Sequence, residues 1–238
     1  PRNGDFVPNL IKQNIKRSLK RYSVAGIVPE ILDLKYLFIE TSSRVYYNTN
    51  LAPSASFVST KVQRDLTTYA ESSELNSYGA RFKYSRFLKV IDSSHESVTS
   101  NITTVEMRRD LRLAISEVAE YAIDFGNEFH IQSMNGFNIR SSAFRVLNIN
   151  TDVYLYDTPD STGEKGQISL FSLDEGSSTP VIQRRNVGVI DYKKGRITLD
   201  PINIVSGKSK DNVDILEISA TPESNDIIGL QDLYLQLD

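Results

Sequence analysis

The two histidines of this 238-residue chain are the first candidates for proton transfer or metal binding. His95 lies in a polar Ser-Ser-His-Glu run, which predicts an exposed turn. His130 lies between Phe129 and Ile131, and this apolar setting predicts a half-buried neutral imidazole on a strand. Because the chain has no cysteine, thiolate metal sites, disulfides and cysteine nucleophiles are excluded. We therefore predict no catalytic residue, no metal site and no cofactor.

Carboxylate pairs could perform a second kind of chemistry, general acid–base catalysis. Asp191 and Asp200 stand at the ends of predicted strands, where aspartate commonly caps a turn, so we favour a structural role for both. The sequence contains no Gly-rich nucleotide-binding loop, HExxH zinc motif, GxSxG nucleophile elbow or EF-hand loop. A Ser-His-Asp set that the fold assembles stays open, because a triad is defined by its geometry.

The distribution of charge is more informative than the net charge of −3, which argues against a general nucleic-acid binder. Six lysines and arginines in residues 1–22 face one aspartate, whereas the residues after Lys210 contain only acidic charges. Such asymmetry suits docking between copies of the chain, and the alternative is two solvated faces. No apolar run reaches the ~18 residues that span a bilayer, so we predict no membrane partner.

Helices and strands alternate in the first half of the chain. Apolar periodicity and residue propensity predict helices at 9–21, about 55–74 and about 82–91, and strands at 35–47 and 97–107. Residues 111–126 fit both a helical and an alternating strand pattern, and we favour strands.

From about residue 131 short β-like runs alternate with turn clusters. These runs are 144–149, 153–156, 167–173, 187–192, 196–199, 213–220 and 230–237. Residues 193–195 read as a hairpin loop with Gly195 in the left-handed conformation. We predict an α+β fold, in which a small helix and strand layer precedes a mostly antiparallel β domain. The predicted regions are an amphipathic helix with its lead-in (1–22), an α+β domain (23–130) and a β-rich domain (131–238).

Two groups of side chains are candidates for protein–protein contact. Tyrosines near strand ends can pack and hydrogen-bond at once, although core packing is the alternative. The basic face of the first helix could make a salt-sensitive contact with the acidic segment 211–238 of a neighbouring chain. The predicted interface residues are Lys16, Arg17, Lys20, Arg21, Tyr154, Tyr156 and Tyr234.

Four segments carry a family resemblance. They are residues 84–92 (YSRFLKVID), 121–127 (YAIDFGN) with 141–144 (SSAF), 188–197 (GVIDYKKGRI) and 220–228 (ATPESNDII). Taken in this order, they resemble the carboxy-terminal region of the baseplate J-like wedge family of T4-like contractile-tail bacteriophages. Because subunits of that family are longer, the resemblance implies a carboxy-terminal fragment. It also favours strands at 119–126.

The resemblance implies a non-enzymatic structural subunit of the virion, located in the tail baseplate and assembled in the bacterial host cytoplasm. In this family two copies join one other wedge protein, and the wedges close into a sixfold ring around the tail hub. The implied partners are a second copy, as a homodimer, and other baseplate wedge proteins, with no nucleic acid, membrane or small-molecule substrate. The alternative is a β-rich carbohydrate- or receptor-binding tail module, which the tyrosine-bearing second half would suit.

Overall fold

The fold is rich in strands. The computed structural model describes residues 9–22, 27–29, 31, 35–75, 77, 79–131, 137–174, 176, 179–210, 212–230 and 233–237. In this part of the chain the helices are α1 (Asn9–Lys20), α2 (Ala55–Ala70) and α3 (Tyr84–Asp92). The strands are β1 (Lys35–Tyr47), β2 (Arg81–Phe82), β3 (Val98–Arg112), β4 (Val118–Asp124), β5 (Arg140–Ser141), β6 (Arg145–Val146), β7 (Tyr154–Pro159), β8 (Lys165–Leu173), β9 (Pro180–Asp191), β10 (Arg196–Ser206), β11 (Lys208–Lys210), β12 (Val213–Ala220), β13 (Ile227–Ile228) and β14 (Leu233–Leu237).

The first sheet has the order β11-β12-β3-β1-β14, with β5 paired to β12. Its pairings are antiparallel except that β14 runs parallel to β1, with Tyr36 opposite Tyr234. Along β3 the residues alternate between two faces. Val105 and Met107 are buried in the core, whereas the opposite face carries Glu106, Arg108 and Asp110.

The second sheet has the order β4-β10-β9-β8-β7, with β6 paired to β10, and is antiparallel throughout. A third sheet is formed by β2 and β13 alone. Strand pairing crosses residue 130 in all three sheets, since β12 joins β3, β10 joins β4 and β13 joins β2. The predicted boundary at residue 130 therefore coincides with no division between sheets, and the assignment of separate domains stays a prediction.

One contiguous hydrophobic core joins both large sheets and two helices. The first sheet contributes residues such as Leu37 and Met107, the second Ile190 and Ile197, and α3 contributes Phe87. All five side chains are fully buried. The helices α2 and α3 pack against each other, and α3 packs on β3. The coarse prediction of an α+β fold is confirmed, and the balance lies more strongly toward β structure than predicted.

The helices form close to their predicted positions. Helix α2 begins after Ser54, whose Oγ accepts a hydrogen bond from the Phe57 N–H at 3.2 Å. It ends at Ala70 rather than at 74, because residues 71–74 are polar and cannot extend the buried face. Helix α3 begins at Tyr84 rather than at 82, because Arg81 and Phe82 pair with β13 instead.

The ambiguous region 111–126 forms strands, as predicted. β3 continues to Arg112 because β12 pairs with it there, and Ser116 then turns the chain with a φ of 61°. In β4 and just after it, Tyr121, Ile123 and Phe125 are buried at alternate positions. This alternation places one side of β4 in the core.

The second half follows the predicted strand order with different lengths. Only Arg145 and Val146 of the predicted strand 144–149 pair in a ladder, with β10. By contrast, β9 extends seven residues before its predicted start. This extension, residues 180–186, pairs with β8 while remaining exposed, so it lies at the edge of the body.

Candidate interaction surfaces

The segments that carry the family resemblance meet at one junction between the sheets. Gly195 has a φ of 63°, which confirms the predicted left-handed hairpin loop. A Cβ atom on Gly195 would lie 1.9 Å from the Asn127 carbonyl oxygen, so only glycine fits there. The Gly195 carbonyl accepts from the Phe125 N–H at 2.8 Å, and the Tyr192 carbonyl accepts from the Phe129 N–H at 2.8 Å.

The remaining two segments join this junction through side chains. Asn127 donates from Nδ2 to the Ile228 carbonyl and accepts from the Ile228 N–H, both at 2.9 Å. The Asp226 carboxylate accepts from the Tyr84 N–H at 2.7 Å, at the start of α3. The motifs therefore build a structural junction, and their side chains are engaged with each other.

A buried carboxylate ties the second sheet to the segment 138–141. Asp157, only 1% exposed, accepts from the backbone N–H groups of Asn138 and Ile139 at 2.8 and 2.7 Å. Its second oxygen accepts from the Tyr192 hydroxyl at 2.6 Å. Burial, and then the hydrogen bond to Asp157, raise the pKa of Tyr192. This network was not predicted, although Asp157 occupies an inward position in the alternating β7 sequence.

His130 does not lie on a strand, so that part of its prediction is wrong. Its side chain is 46% exposed, and Nδ1 lies 2.7 Å from the Glu223 carboxylate. The neighbouring Phe129 forms an isolated bridge with Pro222 and is buried, which turns His130 outward. His95 is partly buried rather than exposed as predicted, because Nδ1 lies 2.8 Å from the Ser97 Oγ and the ring packs against Phe57.

Asp191 caps its hairpin turn, since its Oδ1 accepts from the Lys194 N–H at 2.9 Å. No group of three or more His, Asp or Glu side chains able to hold a metal occurs within the described residues. Nor does any helix of that part have the length and apolar character to cross a membrane.

The predicted basic residues of the first helix lie on a helix that leaves its apolar side uncovered. Lys16, Arg17, Lys20 and Arg21 are all exposed. The apolar stripe of α1, formed by Leu10, Ile11, Ile15 and Leu19, is 42% to 69% exposed. A helix with this periodicity is ordinarily stabilised by burying its stripe, so α1 presents an open apolar surface beside its cations.

The predicted tyrosines lie on two different sheets. Tyr154 and Tyr156 of β7 flank Phe171 of β8, with ring centroids 5.4 and 5.8 Å from it. Ile182 lies opposite Phe171 and is exposed, so this aromatic row borders the exposed start of β9. Tyr234 instead meets Tyr36 on the first sheet in an edge contact at 5.7 Å.

The acidic residues of segment 211–238 that the structure describes are engaged within the chain. Glu217 accepts from Lys208 at 2.8 Å, Glu223 lies at His130, and Asp226 binds the Tyr84 N–H. The predicted contact between this segment and the basic face of α1 in a neighbouring chain would compete with these partners, and it stays a prediction.

A charged cluster on the outer face of the first sheet was not predicted. Asp110 accepts from Arg108 Nε at 3.0 Å and from Lys210 Nζ at 2.9 Å. Both cations lie over the Phe38 ring, at 4.4 and 5.1 Å from its centre, and Arg108 also donates to Glu40. The spacing of Arg108 and Asp110, two residues apart on one strand, is the sequence signal that places them on a common face.

Two comparisons connect this arrangement with known proteins. Residues 35–110 match the family model described as "Baseplate structural protein gp6, C-terminal domain III". The chain is also 28% identical over 163 residues to "Baseplate wedge protein gp6" of Enterobacteria phage T4. That alignment covers 66% of this chain and 24% of the relative, so the chain spans about a quarter of the protein it resembles. The predicted resemblance to a baseplate wedge protein, in its carboxy-terminal region, is confirmed.

Proposed function

We propose that this chain is a structural, non-enzymatic part of a phage tail baseplate, located in the virion, and that it links wedges into a ring around the hub through protein–protein contacts. The match of residues 35–110 to a baseplate structural domain supports the baseplate role. A subunit of a closed ring needs at least two surfaces for neighbours. The open apolar stripe of α1 is the observation that supports the linking role, because it offers one such surface.

The contacts of the ring are of two physical kinds. The apolar stripe of α1 gives a contact that persists at high salt, since burial of apolar surface does not depend on charge. The basic face with Lys16 and Arg17 gives a contact that weakens as the Debye length falls from ~10 Å at 0.1 M to ~3 Å at 1 M salt. The proposed partners are a second copy of the chain, as a homodimer, and other baseplate wedge proteins.

Sedimentation velocity of the chain at tens of micromolar and at both salt concentrations tests this proposal. We expect a dimer in 0.1 M and in 1 M salt. The Ile11→Ser/Ile15→Ser variant should be monomeric, whereas Ile102→Ser/Ile228→Ser should dimerise normally, because it removes two exposed isoleucines elsewhere. A dimer formed by the Ile11→Ser/Ile15→Ser variant contradicts the role of the stripe. A wild-type monomer at both salt concentrations contradicts self-association.

The linking role also requires binding to a different wedge protein. Lys16→Glu/Arg17→Glu should weaken co-sedimentation with another wedge protein of the same phage in 0.1 M salt. Lys193→Glu/Lys194→Glu is the matched control, since it reverses two adjacent exposed cations in a hairpin loop. Equal loss in both variants would indicate a nonspecific charge effect and would contradict a docking role for the helix.

One observation favours the alternative of a carbohydrate- or receptor-binding tail module. Tyr154, Tyr156 and Phe171 form a partly exposed aromatic row, and aromatic faces of this kind stack on sugar rings. A rise in melting temperature with host surface polysaccharide, abolished by Tyr154→Ala, would favour this alternative over the linking role.

A further inference from the structure

A surface groove of about 370 Å³ lies between the end of α2 and the start of α3. It is lined by Tyr69, Glu74, Arg81, Lys83 and Arg86. These side chains come from three places in the fold: the last turn of α2 with the turn after it, strand β2, and the residues that open α3. The whole groove lies within the segment 35–110.

The groove has an excess of positive charge. Arg86 Nε lies 3.7 Å from the Glu74 carboxylate, and both side chains are more than half exposed, so this pairing is weak. Among the described residues, no carboxylate lies within ion-pair distance of Arg81 or Lys83. Other cations of the body behave differently, since Arg140 and Arg145 each contact a carboxylate. The described lining of the groove therefore contains three cations and one acid.

The positions of these cations are fixed by the backbone around them. Arg81 lies opposite Ile228 in the small sheet, and the Gly229 N–H donates to the Ala80 carbonyl at 2.8 Å. At the start of α3, the Tyr84 N–H donates to Asp226 at 2.7 Å. Asp226 is a further acid at this helix end, but it is not among the described residues that line the groove. The backbone positions of the cations are therefore set before a ligand binds, and only their exposed side chains remain to be ordered.

Tyr69 adds an apolar wall and a donor to the groove. Its side chain is only 7% exposed, yet it lines the groove. Burial and the nearby Glu74 raise the pKa of Tyr69, against the opposing effect of Arg86, so the hydroxyl stays protonated at neutral pH. An apolar wall beside hydroxyl and guanidinium donors suits a carboxylate on a short aliphatic stem.

We propose that this groove docks an acidic segment of a partner protein, with Arg81, Lys83 and Arg86 binding successive carboxylates. The groove is open and its cations come from separate elements, which suits an extended peptide better than a single small anion. Proteins that bind single-stranded nucleic acid commonly stack its bases on exposed aromatic side chains, and Tyr69, the aromatic residue among the described residues that line the groove, is largely buried. This inference concerns a surface distinct from α1 and goes beyond the proposed function.

Fluorescence anisotropy with a labelled hexaglutamate peptide tests the proposal on the full chain. We expect saturable binding that weakens at least tenfold between 0.05 and 0.5 M salt, and no binding of hexalysine. Arg81→Glu/Arg86→Glu should weaken hexaglutamate binding at least tenfold. Tyr69→Phe should weaken it by a few fold, because the ring stays and only the hydroxyl is lost.

Another groove among the described residues supplies a matched control. It is lined by Lys165, Lys193 and Lys194 with Glu164 and Asp191, so its three cations face two acids. Lys165→Glu/Lys193→Glu should change hexaglutamate binding by less than twofold. Melting temperatures within 2 °C of the unaltered protein would verify that both double variants are folded.

Several results would overturn the proposal. These are undetectable binding of hexaglutamate at 1 mM in low salt, equal weakening by the two double variants, and tighter binding of a single-stranded oligonucleotide that depends on Arg81 and Arg86. An independent readout is the perturbation of amide resonances by the peptide, which we expect at residues 80–87 and not at residues 191–195. If hexaglutamate fails to bind while the chain still dimerises, the proposed function survives and only this inference fails.

Discussion

The Tyr192 hydroxyl donates a hydrogen bond of 2.6 Å to Asp157, and both side chains are at most 1% exposed. The same carboxylate accepts two backbone N–H groups of the segment that follows residue 137. A buried carboxylate is tolerated only when its oxygens are satisfied, so Tyr192 supports a connection that involves three parts of the chain.

Substitution of Tyr192 by Phe should lower the free energy of unfolding by about 1–3 kcal/mol, because one Asp157 oxygen loses its buried donor. Urea denaturation at pH 7 measures this change. Tyr154→Phe is the control, since no hydrogen bond of that hydroxyl is found in the described structure, and we expect it to cost less than ~0.5 kcal/mol. Equal effects of the two substitutions would contradict the role of the Asp157 contact.

The pH dependence of stability should report the same contact. Folding raises the pKa of Tyr192, so its contribution is fully present below the ordinary tyrosine pKa of about 10 and declines as the pH rises above that value. The difference in unfolding free energy between the unaltered protein and Tyr192→Phe should therefore shrink between pH 9 and pH 11. A difference that stays constant over this range would be inconsistent with a raised pKa.

Two glycines with the same backbone conformation should respond differently to alanine. Gly195 and Gly79 have φ values of 63° and 65°, but a Cβ would lie 1.9 Å from the Asn127 carbonyl in one case and meet nothing within 4 Å in the other. Gly79→Ala should cost about 1–2 kcal/mol, the penalty of the left-handed conformation alone. Gly195→Ala should cost more than ~3 kcal/mol, because the backbone must also move. Thermal denaturation of the two variants would separate these contributions.

The cluster around Phe38 should depend on Asp110. Asp110→Asn should lower the free energy of unfolding by about 3 kcal/mol, because its side chain is 7% exposed, Lys210 would lose its carboxylate and Arg108 would lose Asp110 while keeping Glu40. The matched substitution Asp152→Asn breaks a pair with Arg145 in which both side chains are more than half exposed, and it should cost at most about 1 kcal/mol. Similar losses in chemical denaturation would mean that burial does not strengthen the Asp110 contacts.

Limited proteolysis should cut first in the turns 158–166 or 174–180, and not inside residues 55–74. Residues 160–162, 164 and 165 and the described residues of 174–180 are exposed, whereas α2 packs on α3. Because strand pairing crosses residue 130, the two fragments should co-elute in size-exclusion chromatography until a denaturant is added. A first cut within α2, or fragments that separate after cleavage, would contradict this expectation.

The parts of the fold that the sequence predicts well are those fixed by local patterns. Helix α1, strand β1 and strand β12 lie within a residue of their predicted bounds, because periodicity and propensity act over neighbouring positions. The pairing of β14 with β1 and of β13 with β2 has no local signal. Both pairings depend on contacts between residues that are distant in the sequence. The pairing of β13 with β2 also sets the start of α3 at Tyr84.

The candidate surfaces also include features that local sequence predicts and features that appear only in the folded chain. The basic face of α1 is readable from the spacing of its lysines, but exposure of the opposite apolar stripe is a property of the assembled chain. The position of His130 outside a strand has no local signal, because its flanking apolar residues are equally typical of a strand and of a bridged loop. The groove at Arg81 gathers residues from α2, β2 and α3, so its members are brought together only by folding.

The parallel pairing of β1 with β14 has a consequence for biosynthesis. Lys35 lies opposite Leu233, so β1 acquires this neighbour only after about 200 further residues have been translated. Until then the edge of β1 exposes unpaired N–H and C=O groups beside apolar side chains, the kind of edge that recruits strands from other chains. During translation the first sheet therefore cannot be completed until β14 has been synthesised. Aggregation through the open edge of β1 competes with folding until that point.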